Sequence, residues 1–187
     1  FDRQVDGTLV PLPMKSVDTG LGFERLVAVM QGRRSNYETD LFTPLIARME
    51  EISGLVAEGE HRISMQVVAD HARACTFTVA DGAIPSNQDR GYVVRRILRR
   101  AARHGHLLGL REPFLWKVAE VVIGEMGGAY PEIVERRERI LDVIRKEEVR
   151  FGHTLASGLH VYAEFKARMQ AEGRRELSGE EAFKLHD

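Results

Sequence analysis

The sequence is poor in cysteine and has no long apolar run. Its one cysteine, Cys75, has no partner for a disulfide within the chain and is typical of proteins in a reducing cytosol. Apolar runs reach only a few residues, far short of the roughly 20 that a transmembrane helix needs. No basic segment followed by an apolar one opens the sequence, so nothing indicates secretion. We therefore expect a cytoplasmic protein and, since the first residue is Phe1 rather than methionine, a piece of a longer one.

Charge is distributed unevenly, although the net charge of the chain is only -1. Residues 61–111 contain nine arginines and only three acidic residues, whereas the segments on either side are slightly acidic. A local excess of arginine in a nearly neutral chain indicates an anionic partner that is bound on one face.

The apolar residues recur at helical spacing through most of the chain. In the longest predicted helix, which begins at residue 131, a break is expected near Gly152 and Gly158. Helices are predicted over residues 23–31, 36–52, 64–79, 91–104 and 113–126, from residue 131 onward, and from residue 179 to the C-terminus. The apolar stripe of the longest helix consists of Ile133, Ile140, Ile144, Phe151, Leu155, Leu159, Tyr162, Phe165 and Met169.

Two capping boxes predict helix starts. Ser35 with Glu38, and Ser178 with Glu181, each have the spacing at which a serine hydroxyl and a glutamate carboxylate cap the first turn. The first box would open the helix that ends near Ile52.

The helix Tyr92–His104 places its apolar and basic residues on opposite faces. No acidic residue occurs between Asp89 and Glu112 to neutralise the basic face. Like charges repel, so a polyanion that releases counterions on binding is one explanation of the pattern. The alternative is a solvated face, or one that is salt-bridged to acids of the last helices. The apolar stripe is Val94, Ile97, Leu98 and Ala101, and the arginine face is Arg95, Arg96, Arg99, Arg100 and Arg103.

Asn87 ends a loop of turn-forming residues, 80–91, directly before the arginine face. Its amide offers both a donor and an acceptor, as the reading of a base edge requires. The alternative is that Asn87 only caps the helix or stabilises a turn.

A glycine-bearing turn, 18–26, leads into the first helix. Gly20 and Gly22 would allow a ligand to approach the backbone, and Arg25 could bind a phosphate with two hydrogen bonds. Asp18 could pair with an ammonium group, although the same residues also fit a plain strand-to-helix turn.

His71 and Cys75 lie one helical turn apart, but zinc sites usually need three or four protein ligands. We expect no metal here and interpret Cys75 as a buried thiol.

The segment Asp18-Thr-Gly-Leu-Gly-Phe-Glu-Arg-Leu26 resembles motif 3 of class II aminoacyl-tRNA synthetases, in the form used by alanyl-tRNA synthetases. The resemblance continues in order through the chain, with Phe23 in place of a frequent leucine. It includes Ser35-Asn-Tyr-Glu-Thr-Asp-Leu-Phe42, Val68-Ala-Asp-His-Ala-Arg-Ala74, Pro85-Ser-Asn87, Arg90-Gly-Tyr-Val-Val-Arg-Arg-Ile-Leu-Arg-Arg100, Tyr130-Pro-Glu132, Glu147-Glu148 and Leu177-Ser-Gly179.

This resemblance implies an alanine–tRNA ligase, which forms alanyl-adenylate from alanine and ATP and transfers the alanyl group to tRNA, with magnesium assisting at the phosphates. Arg25 would contact the terminal phosphate of ATP, and Gly22 would belong to the ATP site. Asp18 would hold the ammonium group of alanine, and Gly20 would line the pocket for its methyl group. Asn87 would read the G3·U70 pair of the tRNA acceptor stem, and the arginine face would contact the RNA backbone.

The resemblance also implies a mainly α fold in two parts. Residues 1–55 would contain a short antiparallel β remnant of the class II catalytic domain with motif 3 and the helices that follow, and residues 56–187 would form a helical tRNA-recognition domain. Motifs 1 and 2 would precede Phe1, while a zinc-bearing editing domain and the oligomerisation region would follow Asp187. The chain alone is therefore expected not to activate alanine.

Two other functions fit parts of the pattern. A non-catalytic module that binds RNA acceptor stems would keep the helices but has no use for Asp18, Gly20 and Arg25. A helical protein that binds another protein through its long apolar stripe would not need the arginine face.

Overall fold

A computed structural model describes residues 1–14, 16 and 20–186 of the chain. The chain divides into two compact units, Phe1–Thr39 and Asp40–Asp187. Helices dominate the described part, as predicted, and the β structure is one small antiparallel pair. The expected boundary between residues 55 and 56 concerns functional domains and stays a prediction.

Unit 1 opens with two short strands, β1 (Asp2–Arg3) and β2 (Leu9–Val10), which pair in antiparallel register. Gly7 has a φ of +87° in the connecting turn, a conformation that glycine adopts without steric cost. Helix α1 (Phe23–Met30) follows, and Gly32 with a φ of +64° ends it where the sequence predicted a stop.

The helix predicted from Ser35 to about residue 52 is interrupted, so this expectation was wrong in part. Ser35 Oγ accepts from Tyr37 N at 3.3 Å, but it opens only a short 3₁₀ helix, Asn36–Glu38. Helix α2 (Thr43–Ser53) starts five residues later, with Pro44 in its first turn. Proline has no N–H to donate to the preceding turn, so one continuous helix through this position would lose a hydrogen bond.

Unit 2 is a bundle of helices around α3 (Gly59–Ala80), which packs against α2, α4, α5 and α7. Its core is made of aliphatic residues that are almost completely buried, including Met65, Val68, Leu98, Val118 and Ile144. The other helices of this unit are α4 (Asp89–Leu107), α5 (Leu115–Met126), α6 (Pro131–Glu135), α7 (Arg137–Ala171) and α8 (Gly179–His186).

The longest helix, α7, continues through both Gly152 and Gly158, where a break was expected. A helical glycine costs only about 1 kcal/mol relative to alanine, which neighbouring turns offset. The interruption falls instead at Arg136, between α6 and α7. Ile140 and Ile144 are buried in the bundle, whereas Leu159 and Tyr162 are more than 40% exposed, so the predicted apolar stripe is buried mainly in its first half.

Helix α8 packs against the last part of α7, where Phe165 is buried. The capping box that was predicted to open α8 is confirmed: Ser178 N donates to Glu181 Oε2 at 2.8 Å, and Glu181 N donates to Ser178 Oγ at 3.2 Å. Among the helices described, none combines the length and apolar character that crossing a membrane requires.

Candidate nucleic-acid interface

The loop before α4 is held in one conformation by its own backbone. Ser86 N donates to Gly91 O at 3.0 Å, and Ser86 Oγ donates to Gln88 O at 2.9 Å. A Cβ at Gly91 would overlap with Ser86 Oγ and with Ile84 O, so this close approach requires glycine. The loop therefore presents Asn87, which is exposed, at a fixed place beside the first turn of α4.

Asn87 does not cap α4. The N-cap residue is Gln88, whose side chain makes no capping hydrogen bond. The side-chain oxygen Oδ1 of Asn87 instead accepts a hydrogen bond from Arg95 Nη1, two turns into the helix. The structure thus brings Asn87 together with the first member of the arginine face.

The arginine face is divided by its contact with α7. Arg95 and Arg99, hereafter the paired arginines, both reach the buried carboxylate of Glu147. Arg99 Nε donates to Oε1 at 2.9 Å, and Arg95 Nη2 donates to Oε2 at 3.3 Å. Arg99 also lies over the ring of Phe151, 5.3 Å from its centroid. Two of the five arginines on this face are therefore held by a salt bridge within the chain.

The other three members of the face, hereafter the exposed arginines, lie in solvent. None of them forms a salt bridge to any residue that the structure describes. Arg96 lies 5.6 Å from the ring centroid of Tyr92, which leaves its guanidinium available for other hydrogen bonds. The exposed arginines are Arg96, Arg100 and Arg103.

An open hollow of about 230 Å³ lies between α3 and α4 beside the exposed arginines. Arg96, Arg100 and His71 supply its polar lining, and Val93 and Ile97 its apolar lining. His71 Nδ1 lies 2.8 Å from Asp70 Oδ2, and this hydrogen bond is the main reason that the pKa of Asp70 is lowered.

The exposed arginines also influence His104 at the far end of α4. Burial lowers the pKa of His104, and the charges of Arg100 and Arg103 lower it further. Its Nδ1 lies 3.1 Å from Ser64 Oγ. Both effects favour the neutral form of His104.

The thiol of Cys75 is buried in the core of unit 2, as the sequence interpretation held. Burial is the main cause that raises its pKa to about 12. A thiol of this kind is neither a ready metal ligand nor a nucleophile at neutral pH.

The glycine-bearing turn belongs to unit 1. Asp18 lies outside the described residues, together with residues 15, 17 and 19. Gly22 is the N-cap residue of α1, and a Cβ added there would lie 3.4 Å from Cδ of Arg25. The side chain of Arg25 is exposed and makes no hydrogen bond or ion pair within the described part of the chain. Among the described residues, apart from its chain neighbours, none lies within 4 Å of a Cβ position at Gly20.

A family model described as "tRNA synthetases class II (A)" matches residues 1–187. The chain belongs to this family. Among curated relatives, the alanine–tRNA ligase of Chlorobaculum tepidum is 48% identical over 191 residues, which cover 100% of this chain and 22% of the relative. That of Rhizobium meliloti is 51% identical over 178 residues, which cover 95% of the chain and 20% of the relative. That of Chlorobium phaeobacteroides is 47% identical over 191 residues, which cover 100% of the chain and 22% of the relative.

The resemblance to alanyl-tRNA synthetases is thereby confirmed over the whole chain. The chain spans about a fifth of the length of these relatives.

Within this synthetase segment, sequence reasoning gave no role to Glu147 and Glu148. Their position on an amphipathic helix predicts exposure, yet both are buried. The available signal was the unbalanced arginine face, since a buried acid elsewhere in the chain is one way to neutralise it. The sequence around Glu147 has no feature that distinguishes it from the other acids of the long helix.

Proposed function

We propose that the chain is the part of an alanine–tRNA ligase that binds the tRNA acceptor stem and supplies one wall of the ATP and alanine site. The parent enzyme would join alanine to the α-phosphate of ATP, which gives alanyl-adenylate and pyrophosphate. It would then transfer the alanyl group to the 3′ end of the tRNA and release AMP. Support comes from the relatives, which are named as alanine–tRNA ligases. The catalytic part of the chain would end near residue 55.

In unit 1, Arg25 would neutralise the terminal phosphate of ATP. Its guanidinium is exposed, and the absence of a side chain at Gly22 leaves room for the nucleotide beside the arginine stem. Asp18 would hold the ammonium group of alanine, with Gly20 beside its methyl group. ATP would enter as its magnesium complex, and these residues would act by positioning and charge neutralisation.

In unit 2, the observation that carries the proposal is an exposed amide in the loop that leads into α4, the helix that carries three exposed arginines. The arginines would contact phosphates, which fix the position of the RNA without reading its sequence. The Asn87 amide would read a base pair. A-form RNA displays base edges in a wide, shallow minor groove, and in a G·U pair the guanine amino group there has no pairing partner.

Replacing Asn87 with alanine tests this proposal. The amide oxygen has two lone pairs, so it can accept from both Arg95 and the guanine amino group, while the amide NH₂ donates to a neighbouring oxygen. Asn87→Ala should weaken binding to a G3·U70 stem by about 1 to 3 kcal/mol and to a G3·C70 stem by much less. The measurement is the affinity of the chain for two RNA stems that differ only at this pair.

Gln88→Ala is the matched control, because Gln88 is the adjacent exposed amide and makes no capping hydrogen bond. It should leave the preference between the stems unchanged. Equal losses on both stems for Asn87→Ala would reduce Asn87 to a loop residue and overturn the proposed reading of the base pair.

A further inference from the structure

Glu147 on α7 is a buried acid that lies behind the loop carrying Asn87. Its side chain is only 5% exposed. Oε1 lies 2.9 Å from Arg99 Nε, from which it accepts a hydrogen bond, and 3.0 Å from Arg95 Nε. Oε2 accepts from Arg95 Nη2 at 3.3 Å. One carboxylate therefore faces the guanidinium groups of both paired arginines.

Arg95 connects this buried acid to the loop. Its side chain is 11% exposed, and its Nη1 donates to Asn87 Oδ1 while Nη2 is also 3.4 Å from Pro85 O. The guanidinium is planar and has five donors in a fixed geometry, so an edge that is held by Glu147 fixes the direction of the others. Lysine has its three donors on one nitrogen, so it lacks the fixed separation between the donors that meet the acid and the donor that meets Asn87.

The contact fixes which side of the Asn87 amide carries the oxygen, and the second lone pair of that oxygen stays available for the guanine amino group. An amide side chain has an acceptor oxygen and a donor nitrogen of nearly equal size, and without a partner it can present either. Arginine only donates, so Arg95 selects the oxygen as its neighbour and turns the NH₂ group away from itself.

We propose that Glu147 and Arg95 are positioning residues that hold the Asn87 amide in one orientation and so set the preference of this site for a G·U pair. This inference rests on the proposed function. It assigns the paired arginines a task different from that of the exposed arginines. Arg95 and Arg99 are held by Glu147, and Arg95 orients the Asn87 amide, while the exposed arginines contact the RNA backbone.

The salt dependence of RNA binding distinguishes a residue that positions Asn87 from one that only supports the fold. Without the charge on Glu147, the paired arginines are released and can reach RNA phosphates. Glu147→Gln should therefore leave binding of a G3·C70 stem at least as tight as before, and should make the dependence of binding on salt steeper for both stems, with a log-log slope larger by up to roughly 0.7 to 0.9 for each released arginine. A variant that is merely destabilised would bind every stem less well.

The experiment measures affinity for G3·U70 and G3·C70 RNA stems over a range of KCl concentrations. We expect Glu147→Gln to reduce the preference for G3·U70 about tenfold, the effect of losing roughly one polar contact to a base. Affinity for G3·C70 should not fall. Glu138→Gln is the control, because Glu138 is an exposed acid on the same helix. It should change neither quantity.

A double-mutant cycle identifies the path of the effect. In the Asn87→Ala background, Glu147→Gln should cause no further loss of preference, because the residue it positions is gone. An additive loss would show that Glu147 acts elsewhere and would overturn the inference. If Glu147→Gln does not fold, Arg95→Lys carries the test, since it keeps a positive charge opposite Glu147 but should lose most of the preference. An unchanged preference in Arg95→Lys would also overturn it.

The outcomes separate this inference from the function on which it rests. A wild-type chain that binds both stems equally overturns the proposed reading of the base pair and this inference with it. A wild-type chain that prefers G3·U70, and loses this preference in Asn87→Ala but keeps it in Glu147→Gln, overturns this inference alone.

Discussion

Glu148 holds the first turn of α5 from a distance of more than thirty residues, and its replacement tests how the bundle is kept together. Its carboxylate, buried on α7, accepts from Phe114 N at 3.0 and 3.1 Å and from Leu115 N at 3.0 Å. Phe114 is the N-cap residue of α5 and has no side chain that could cap the helix itself. Glu148 therefore satisfies backbone N–H groups that every helix start leaves without a partner.

Burial raises the pKa of Glu148 to about 7, against the lowering effect of the two backbone N–H groups and of Lys117. In the unfolded chain the same carboxyl group titrates near 4.5. Between these two values the folded state binds more protons than the unfolded state, so the free energy of unfolding falls as pH rises. The contribution is fully present below about pH 4.5 and is lost as pH passes 7. Each pH unit changes it by about 1.4 kcal/mol, so the whole window corresponds to roughly 3 kcal/mol.

Glu148→Gln keeps a side-chain oxygen as an acceptor and removes the titration. We expect the free energy of unfolding of the wild type, minus that of Glu148→Gln, to decrease by about 2 to 3 kcal/mol between pH 5 and pH 8. The assay is urea unfolding followed by circular dichroism at intervals of half a pH unit. The other titratable groups are common to both proteins, so their contribution cancels in the difference.

Glu148→Ala supplies the second arm of the test. It leaves the two buried N–H groups without an acceptor and should destabilise unit 2 by roughly 2 to 5 kcal/mol across the pH range. Glu138→Gln, at an exposed position of the same helix, should have little effect on stability. A difference between wild type and Glu148→Gln that stays constant with pH would refute the reasoning. A difference that grows with pH would show that the N–H groups outweigh burial and that the carboxylate is preferentially ionised.

Two further predictions concern RNA and ATP. Replacing any one of the exposed arginines with glutamine should weaken binding of every RNA stem about equally and reduce the log-log salt slope by roughly 0.7 to 0.9, as filter binding over a KCl series would measure. An unchanged slope together with a lower melting temperature would assign that arginine to the fold. Arg25→Gln, made in the full ligase that contains this chain, should slow alanine-dependent ATP–pyrophosphate exchange by about 10² to 10³, as expected for loss of one charge-stabilising donor. Arg33→Gln, an exposed arginine beyond α1, is its control, and equal rates in the two variants would remove Arg25 from the ATP site.

The helices of unit 2 could be predicted because their information is local. Val94, Leu98 and Ala101 are buried, as the helical wheel predicted. Ile97, on the same predicted stripe, is only partly buried, and the wheel missed the burial of Ala102, because α4 packs against α7 as well as α3. Gly105 lies one residue beyond the stretch placed on the wheel, and it meets Phe114, the N-cap residue of α5, so closely that a Cβ would overlap with the Phe114 ring. A pattern along one helix reports that a face is buried, but not how many neighbours cover it.

The candidate site shows the same limit more strongly. The sequence identified Asn87 and the arginine face as neighbours, since they lie within one loop and the helix that follows. It did not divide the arginines into two groups, because that division depends on an acid 48 to 52 residues away. Only the packing of α7 against α4 brings Glu147 within 3 Å of the paired arginines. A charge pattern therefore predicted that a partner exists, and the fold determined that for two arginines the partner is internal.

Glu147 and Glu148 are consecutive residues, and their different surroundings follow from helix geometry. Successive side chains on a helix point about 100° apart, so two adjacent buried acids must face two different neighbours. Glu147 faces α4 and meets two guanidinium groups, whereas Glu148 faces the start of α5 and meets backbone N–H groups. One turn of α7 thus holds both the helix that carries the arginine face and the helix beside it. A shift of this turn would change the packing of α5 and the hold on Arg95 together, so the orientation of Asn87 depends on the same contacts that keep the bundle folded.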